Sequence, residues 1–301
     1  MSSHSLESPP PAATGYDSCL RQCDRCQIGA SNAADPSAVT FIYRDPIKNI
    51  PAEIVDGAAE CLQGSLNRQN LTTKRRRFGF STSEDAVTWV VFAYLLRSGQ
   101  LVRALKQCGV VMDSGSASEP SLLLWGSPVD ASQPAMAIQA RVVGLCDTVG
   151  EDRQSRSEPD VVIDLGNAGV IFVEVKYLSG NDSKPSDYPG WSRYMGKAGV
   201  FRDEAEVRAS GCYELARNWR LLKGVAGDRP AILVNLGPKR LFVGPESERL
   251  QRFTDALVTD RSSRFIKLTW IQLLQEITDT PAWFDRFVDS RHLNAPLLPT
   301  R

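Results

Sequence analysis

Asp164, Glu174 and Lys176 interrupt an apolar stretch at positions 161–176, and Asp160 directly precedes it. A charge inside such a stretch is costly unless it is paired with an opposite charge or bound to a metal. Carboxylates bind hard cations such as Mg²⁺ through oxygen, and a neighbouring ammonium group can position water or stabilise charge that develops on a phosphate. These residue types can therefore support metal-assisted hydrolysis.

A hairpin is expected to bring these charges together. Two runs of β-branched and aromatic residues flank a Gly-Asn-Ala-Gly turn at 166–169, which predicts two largely buried antiparallel strands. If the turn alone formed the loop, Asp160 would lie beside Val175, on the opposite face from Glu174 and Lys176. We therefore expect a bulge or an odd-length loop that moves Asp160 by one residue onto their face.

A Pro-Asp pair ending at Asp160, followed after a spacer by Glu174-Val175-Lys176, resembles the PD-(D/E)xK motif of the restriction-endonuclease-like nucleases. The resemblance covers roughly residues 78–236. It implies an α/β fold with an αβββαβ core, in which a mixed central sheet is flanked by helices. Asp160 and Glu174, with the Val175 carbonyl, would hold Mg²⁺ or Mn²⁺. Lys176 would position or deprotonate the attacking water and stabilise the phosphate charge.

The predicted elements follow the order of that core. They are a helix from a Ser81-Thr82-Ser83-Glu84 capping box to Gly99, a strand at 138–145, the central hairpin, a helix at 203–223 and a strand at 231–236. A C-terminal extension follows, with a short strand at 241–243, a helix at 246–257, a strand at 265–270 and helices to about residue 288.

Glu84 has two interpretations. In a capping box its carboxylate would cap its own helix, and a negative charge is favourable at that helix end. The family resemblance implies a different role, because a glutamate near the start of the first core helix often joins the metal site. Both uses need the same carboxylate, so both interpretations remain open at this point.

Some cations outside the motif are candidates for substrate binding. Arg75 and Arg76 belong to the basic run 74–77, which can contact backbone phosphates or form an ordinary solvated surface. On the second core helix, Tyr213 and Arg217 lie one turn apart and share a face. The resemblance places polar residues of this helix near the metal site.

The loop at 179–200, next to the predicted site, mixes aromatic residues with cations. Trp191 and Tyr194 could stack on bases while Arg193 and Lys197 contact phosphates. The alternative is an ordinary connection whose aromatic side chains pack on the domain.

An N-terminal group of cysteines suggests a second metal site. Cys19, Cys23 and Cys26 have spacings that suit zinc or an iron–sulfur cluster, with His4 or Cys61 as the fourth ligand. Reduced cysteines in a loosely attached arm are the simpler interpretation. Seven unpaired cysteines favour a reducing, cytoplasmic compartment.

Composition sets the outer limits. With 301 residues, 42% hydrophobic and 23% charged, the chain predicts one large domain or two small ones. We find neither a membrane-spanning segment nor a signal peptide in it, and expect no membrane partner. The predicted divisions are a loosely attached arm at 1–38, an extension at 39–77, the nuclease-like domain at 78–293 and a tail at 294–301.

The predicted function is metal-dependent hydrolysis of phosphodiester bonds, with DNA as the expected substrate and RNA not excluded. The net charge of zero means that nucleic-acid binding would depend on local patches. The resemblance suggests phage defence or DNA repair, and leaves open endonuclease or exonuclease action, a homodimer and a partner protein. Two alternatives are a non-catalytic binding or assembly module that keeps the fold, and a metal-binding regulator acting through the cysteines.

Overall fold

The computed structural model describes residues 14–19, 21–32, 39–111 and 119–294. A small antiparallel sheet near the N-terminus consists of β1 (Arg21–Cys23), β2 (Ile28–Ser31) and β3 (Thr40–Tyr43). Across these described ranges, no helix has both the length and the apolar character needed to span a bilayer.

Six further strands form the central sheet of a mixed α/β fold. Their bounds are Ser121–Leu124 (β4), Ser127–Pro128 (β5), Val161–Asp164 (β6), Val170–Val175 (β7), Ala231–Gly237 (β8) and Ser263–Thr269 (β9). They lie in the order β5-β4-β6-β7-β8-β9, antiparallel from β5 to β7 and parallel from β7 to β9. The change of direction occurs at β7, the strand that carries Glu174.

Helices cover both faces of this sheet. Their bounds are Ala58–Gln63 (α1), Leu71–Phe78 (α2), Glu84–Arg97 (α3), Leu101–Gln107 (α4), Gln133–Thr148 (α5), Glu204–Ser210 (α6), Tyr213–Ala226 (α7), Gly244–Asp255 (α8), Trp270–Gln275 (α9) and Ala282–Ser290 (α10). One core contains α1, α3, α4, α9 and α10, and the other contains α5, α7 and α8.

Alternation along β7 assigns each residue to one of these cores. Val173 and Val175 pack in the core of α3, whereas Phe172 packs in the core of α7. Glu174 and Lys176 therefore point to the side of the sheet that α7 covers, because successive strand residues face opposite ways.

The hairpin register places Asp160 on that same side. Val161 pairs with Val173 and Asp164 with Val170, which leaves an odd number of residues, 165–169, in the loop. Continuing this register by one residue sets Asp160 opposite Glu174, and directly opposed residues share a face. The predicted odd-length loop is confirmed.

Several predicted elements were wrong. The strand predicted at 138–145 lies inside α5, whose buried residues recur at helical spacing as Ala135, Ile138, Val142 and Cys146. The helix predicted at 203–223 is divided into α6 and α7, because Gly211 adopts the left-handed conformation that ends a helix.

The C-terminal extension agrees with the prediction except at one point. The predicted helix at 246–257 and strand at 265–270 correspond to α8 and β9, and α9 and α10 follow. Residues Lys239–Phe242 form a 3-10 turn where a short strand was predicted at 241–243.

The N-terminal segment also differs from expectation. We expected a loosely attached arm at 1–38, but its described part forms β1 and β2, which pair with β3. Tyr16, Cys19 and Ile42 are buried together beneath this sheet. Residues 1–13, 20 and 33–38 lie outside the described residues, as does most of the predicted tail.

The hairpin loop depends on Gly169. Its φ of 124° is accessible almost only to glycine, and an added Cβ would lie 2.6 Å from the carbonyl oxygen of Pro230. Gly169→Ala should therefore lower the free energy of unfolding by about 1–3 kcal/mol, measured by chemical denaturation. Gly144→Ala, in a helical position with open space, should be neutral or stabilising by up to about 1 kcal/mol. Equal stability of the two variants would contradict this account of the loop.

Candidate active site

Asp160, Glu174 and Lys176 meet at the end of the central hairpin. Oδ2 of Asp160 accepts a hydrogen bond of 2.8 Å from the backbone N–H of Val175. The Lys176 Nζ atom lies 2.7 Å from Oε1 of Glu174. Glu174 and Lys176 are 3% and 7% exposed, whereas Asp160 is only partly buried. Asp160 is thus the least buried residue of the three.

Helix α7 contributes two residues that sequence reasoning missed. Glu214 Oε2 lies 2.9 Å from Lys176 Nζ, and the Asn218 amide donates a hydrogen bond of 2.7 Å to Oε2 of Glu174. Glu214 and Asn218 are four residues apart on one helix face. The available signal was a pair of polar residues at that spacing, displaced by one position from the predicted Tyr213 and Arg217.

Glu84 reaches the site without capping its own helix. The N-cap of α3 is Ser83, whose hydroxyl accepts a hydrogen bond from the Ala86 N–H, so the predicted capping box was wrong. Oε2 of Glu84 instead accepts hydrogen bonds from the Tyr177 N–H at 2.7 Å and from the Ser179 hydroxyl at 2.8 Å. Its carboxylate therefore ties α3 to the segment that follows β7.

Burial and crowding raise the proton affinity of the central carboxylates. Desolvation, together with the nearby Glu174 charge, holds the pKa of Asp160 well above its usual range. Desolvation also raises the pKa of Glu174 to about 7, although the Lys176 ammonium opposes the shift. The pKa of Glu84 is raised by burial as well. Without a metal, the fold holds these carboxylates in an environment that disfavours their charge.

At Lys176 the neighbouring charges outweigh the effect of burial on the pKa. Burial would lower its pKa, but Glu174 and Glu214 outweigh burial and raise it. Burial would likewise raise the pKa of Glu214, but Lys176 and Arg217 lower it to about 2. Lys176 is thus held as an ammonium ion and Glu214 as a carboxylate.

The donor set suits a small hard cation. Within the described residues, no donor reaches Oδ1 of Asp160, whereas Lys176 and Asn218 occupy both oxygens of Glu174. No group of three His, Cys, Asp or Glu side chains in the described ranges is arranged to hold a metal. Mg²⁺ commonly uses one or two carboxylates and completes its coordination with water and substrate phosphate. Within the described part of the chain, Asp160 has a free oxygen for such a cation, whereas Glu174 would first have to release Lys176 or Asn218. A metal role for Asp160, Glu174, the Val175 carbonyl and Glu84 therefore stays a prediction.

A groove opens beside Glu84. It has a volume of about 340 Å³ and its lining includes Arg77, Phe80, Glu84, Leu178 and Ser179. Arg77 and Leu178 are exposed. The groove combines a cation and apolar side chains with the carboxylate that is bonded to the end of β7.

The basic run has two different environments. The Lys74 Nζ atom lies 2.6 Å from a Glu158 carboxylate oxygen and 3.4 Å from an Asp85 carboxylate oxygen. Lys74 is therefore engaged in ion pairs that are largely buried. Arg75 and Arg76 are exposed and line a second groove, of about 600 Å³, whose lining includes none of Glu84, Asp160, Glu174 and Lys176. The structure therefore does not bring this pair to the site.

The loop at 179–200 packs on the domain. Trp191 and Tyr194 are buried and contact the Tyr213 ring edge to face, with ring centroids 5.2 and 5.8 Å apart. Of the two alternatives for this loop, the structure supports an ordinary connection whose aromatic side chains pack on the domain. Arg193 and Lys197 remain exposed.

Arg217 lies among the buried charges of the α7 side. It is partly buried, and its charge acts on both Glu174 and Glu214. Its predicted contact with substrate stays a prediction.

The three N-terminal cysteines are not gathered around one point. Cys19 is buried, whereas Cys23 and Cys26 are exposed. Cys61 contacts the carbonyl oxygens of Leu124 and Ser127 in the main core. His4, the other fourth-ligand candidate, lies outside the described residues.

Comparison of the chain with protein-family models, with curated proteins and with solved structures gave no match.

Asp160→Asn should stabilise the metal-free protein at neutral pH. The folded-state pKa of Asp160 lies above the unfolded value of about 3.9, so stability falls as pH rises from about 4 through the folded pKa. Asparagine removes the charge and keeps an oxygen for the Val175 N–H. Thermal unfolding in EDTA from pH 5 to pH 8 should show a melting-temperature advantage of the variant that widens with pH.

Asp228→Asn is the matched control, because it removes an exposed carboxylate from the turn between α7 and β8. A widening advantage in both variants would mean that net charge alone explains the effect. A wild type that stays more stable than Asp160→Asn at pH 8 would refute the repulsion between Asp160 and Glu174.

Proposed function

We propose that this protein is a metal-dependent nuclease that hydrolyses phosphodiester bonds, with DNA as its substrate. The observation that carries the proposal is the placement of Asp160, Glu174 and Lys176 on one side of the hairpin, where a 2.8 Å hydrogen bond holds Asp160 on the backbone of Val175. Two carboxylates and a lysine at the end of adjacent strands supply oxygen ligands and a positive charge within one small volume.

The arrangement of elements gives further support. A helix (α3), three antiparallel strands (β4, β6 and β7), a helix (α7) and a parallel strand (β8) follow in chain order. Other elements intervene: α4 before β4, β5 and α5 between β4 and β6, and α6 before α7. Apart from the intervening elements, this order is the one expected of an αβββαβ core. Glu174 lies on β7, Asp160 directly precedes β6, and Lys176 directly follows β7. We propose that fold family on the basis of the order and the motif together.

Each residue has a distinct role in the proposed reaction. Asp160 and Glu174 would hold Mg²⁺ or Mn²⁺, which supplies Lewis acidity to the phosphate and acidifies bound water. Asn218 orients Glu174 through the hydrogen bond to Oε2. Lys176 stays protonated beside both glutamates, which favours stabilisation of phosphate charge over action as a base.

Lys176 and a cation would compete for the same oxygen. Oε1 of Glu174 is bound by the Lys176 ammonium in this structure. Glu214 offers a second carboxylate at 2.9 Å, so Lys176 can release Glu174 without losing every partner. Glu214 is therefore assigned the role of holding Lys176 near the reacting phosphate.

The groove beside Glu84 is the proposed path of the nucleic acid. Arg77 adds an exposed cation there, and phosphate binding through few cations suits a chain whose net charge is zero.

A non-catalytic assembly module is the second candidate, and one observation favours it. The Lys176 ammonium is satisfied from both sides, by Glu174 at 2.7 Å and by Glu214 at 2.9 Å. Such a pairing alone makes the burial of a lysine tolerable, without any substrate. The cleavage rates of variants at Asp160, Glu174 and Lys176 distinguish a nuclease from a non-catalytic module.

Asp160→Ala and Glu174→Ala should each reduce cleavage to the metal-free background, because either change removes half of the carboxylate pair. The measurement is cleavage of linear, circular and single-stranded DNA and of RNA with Mg²⁺, Mn²⁺ or EDTA. Folding of each variant is verified by circular dichroism and thermal unfolding. Asp228→Ala, an exposed carboxylate in the turn before β8, should cleave at the wild-type rate. Wild-type rates in both site variants would end the nuclease proposal.

Lys176→Ala should slow single-turnover cleavage by about 10²–10³-fold with little change in substrate affinity, because the ammonium acts on charge that develops in the transition state. Lys176→Arg should rescue poorly, since a planar guanidinium does not fit the position of an ammonium between two carboxylates.

A counter-ion role gives the reverse pattern for these two variants. Arginine would then substitute well, and alanine would lower the melting temperature more than the rate per folded molecule. Near-normal cleavage by Lys176→Ala at saturating Mg²⁺ would remove Lys176 from the catalytic group.

A further inference from the structure

The turn between β1 and β2 presents two cysteines to solvent. Cys23 and Cys26 are both exposed, and the Cys26 N–H donates to Sγ of Cys23 at 3.4 Å. Gln27 follows with a left-handed φ of 57°, and its N–H donates to the Cys23 carbonyl at 2.7 Å. The backbone thus folds back on itself at the turn and aims an amide at the first sulfur.

This geometry suits a thiolate ligand. A C-x2-C spacing can place two sulfurs on one zinc ion, and an N–H group directed at sulfur stabilises the deprotonated form that binds metal. The same hairpin carries exposed Arg21 and Arg25 and one exposed carboxylate, Asp24. The excess positive charge would partly offset the negative charge of a zinc–thiolate centre.

The described residues of one chain supply only two thiolate ligands at this turn, Cys23 and Cys26. The buried Sγ of Cys19 contacts the Gly15 carbonyl and packs on Gly29, where an added Cβ would come within 2.5 Å of it. Burial raises the pKa of Cys19. No third His, Cys, Asp or Glu in the described ranges joins the pair as a metal-binding group. Structural zinc sites are almost always four-coordinate, so the described residues of one chain leave two ligand positions unfilled.

The surface around the pair suits a second copy of the chain. A groove of about 500 Å³ beside the cysteines is lined by Ile28, Phe41 and Tyr43 among others. Phe41 is 49% exposed and Val39 56% exposed on the adjoining strand and its approach. A two-fold axis at the metal would bring two identical apolar patches together, and it would supply the missing pair of sulfurs.

We propose that Cys23 and Cys26 form half of a zinc site, and that two copies of the chain share one tetrahedral zinc ion through four thiolates. The site would make dimerisation dependent on zinc. It lies outside the candidate active site, and its success or failure is independent of the nuclease proposal.

The test measures zinc content by mass spectrometry and molar mass by light scattering, with full-length protein kept reduced by a phosphine. We expect a dimer with one zinc ion per two chains, and a monomer after treatment with EDTA. Co²⁺ added to the metal-free protein should restore the dimer and give the visible absorption of tetrahedral thiolate coordination. Cys23→Ser and Cys26→Ser should each yield a zinc-free monomer with unchanged thermal unfolding of the main domain.

Cys108→Ser is the control, because it removes a partly buried thiol that contacts the Gln272 carbonyl, away from the hairpin. It should keep both zinc and the dimer. A monomer with one zinc ion per chain would overturn the shared site, as would a dimer that persists in EDTA. Absence of bound zinc and cobalt at micromolar protein would overturn it too.

Discussion

The burial of Lys176 is the constraint on which the architecture of the site depends. An ammonium group that is 7% exposed needs opposite charges at short range, and the fold supplies Glu174 from the same strand and Glu214 from α7. Glu174 is fixed in turn by Asn218, and Asn235 lies beside it on β8 with its amide 3.5 Å from the Glu174 carbonyl. The position of α7 over the sheet is therefore set by charge as well as by apolar packing.

The segment after β7 is held from several directions. Trp270 donates to the Lys176 carbonyl at 2.9 Å, and the Tyr177 hydroxyl donates to the Arg291 carbonyl at 2.8 Å. The Arg291 guanidinium also bonds Asn49, in the segment before α1. Residues predicted as N-terminal and C-terminal extensions thus converge on the strand that carries the proposed site. Their hydrogen bonds help to fix the position of the segment that follows β7.

The local sequence pattern predicts some elements of this structure correctly and others incorrectly. The hairpin and its odd-length loop followed from alternation and from the cost of burying charges. The helix α5 was misread as a strand because Ile138, Val142 and Val143 are β-branched, although their burial has helical spacing. Glu214 and Asn218 could not be chosen over Tyr213 and Arg217, since the rotation of α7 about its axis is set by tertiary packing.

The contacts of the site also differ in how far along the chain they reach, which bears on the order in which the protein folds. Asp160 and Val175 are 15 residues apart, Lys176 and Glu214 are 38 apart, and Glu84 and Tyr177 are 93 apart. During synthesis the hairpin can close while α7 is not yet made, so Glu174 and Lys176 meet first in water. The side chains of Glu174 and Lys176 become fully buried only when α7 packs on the sheet. We therefore expect docking of α7 to be a late, slow step of folding, and one that depends on salt.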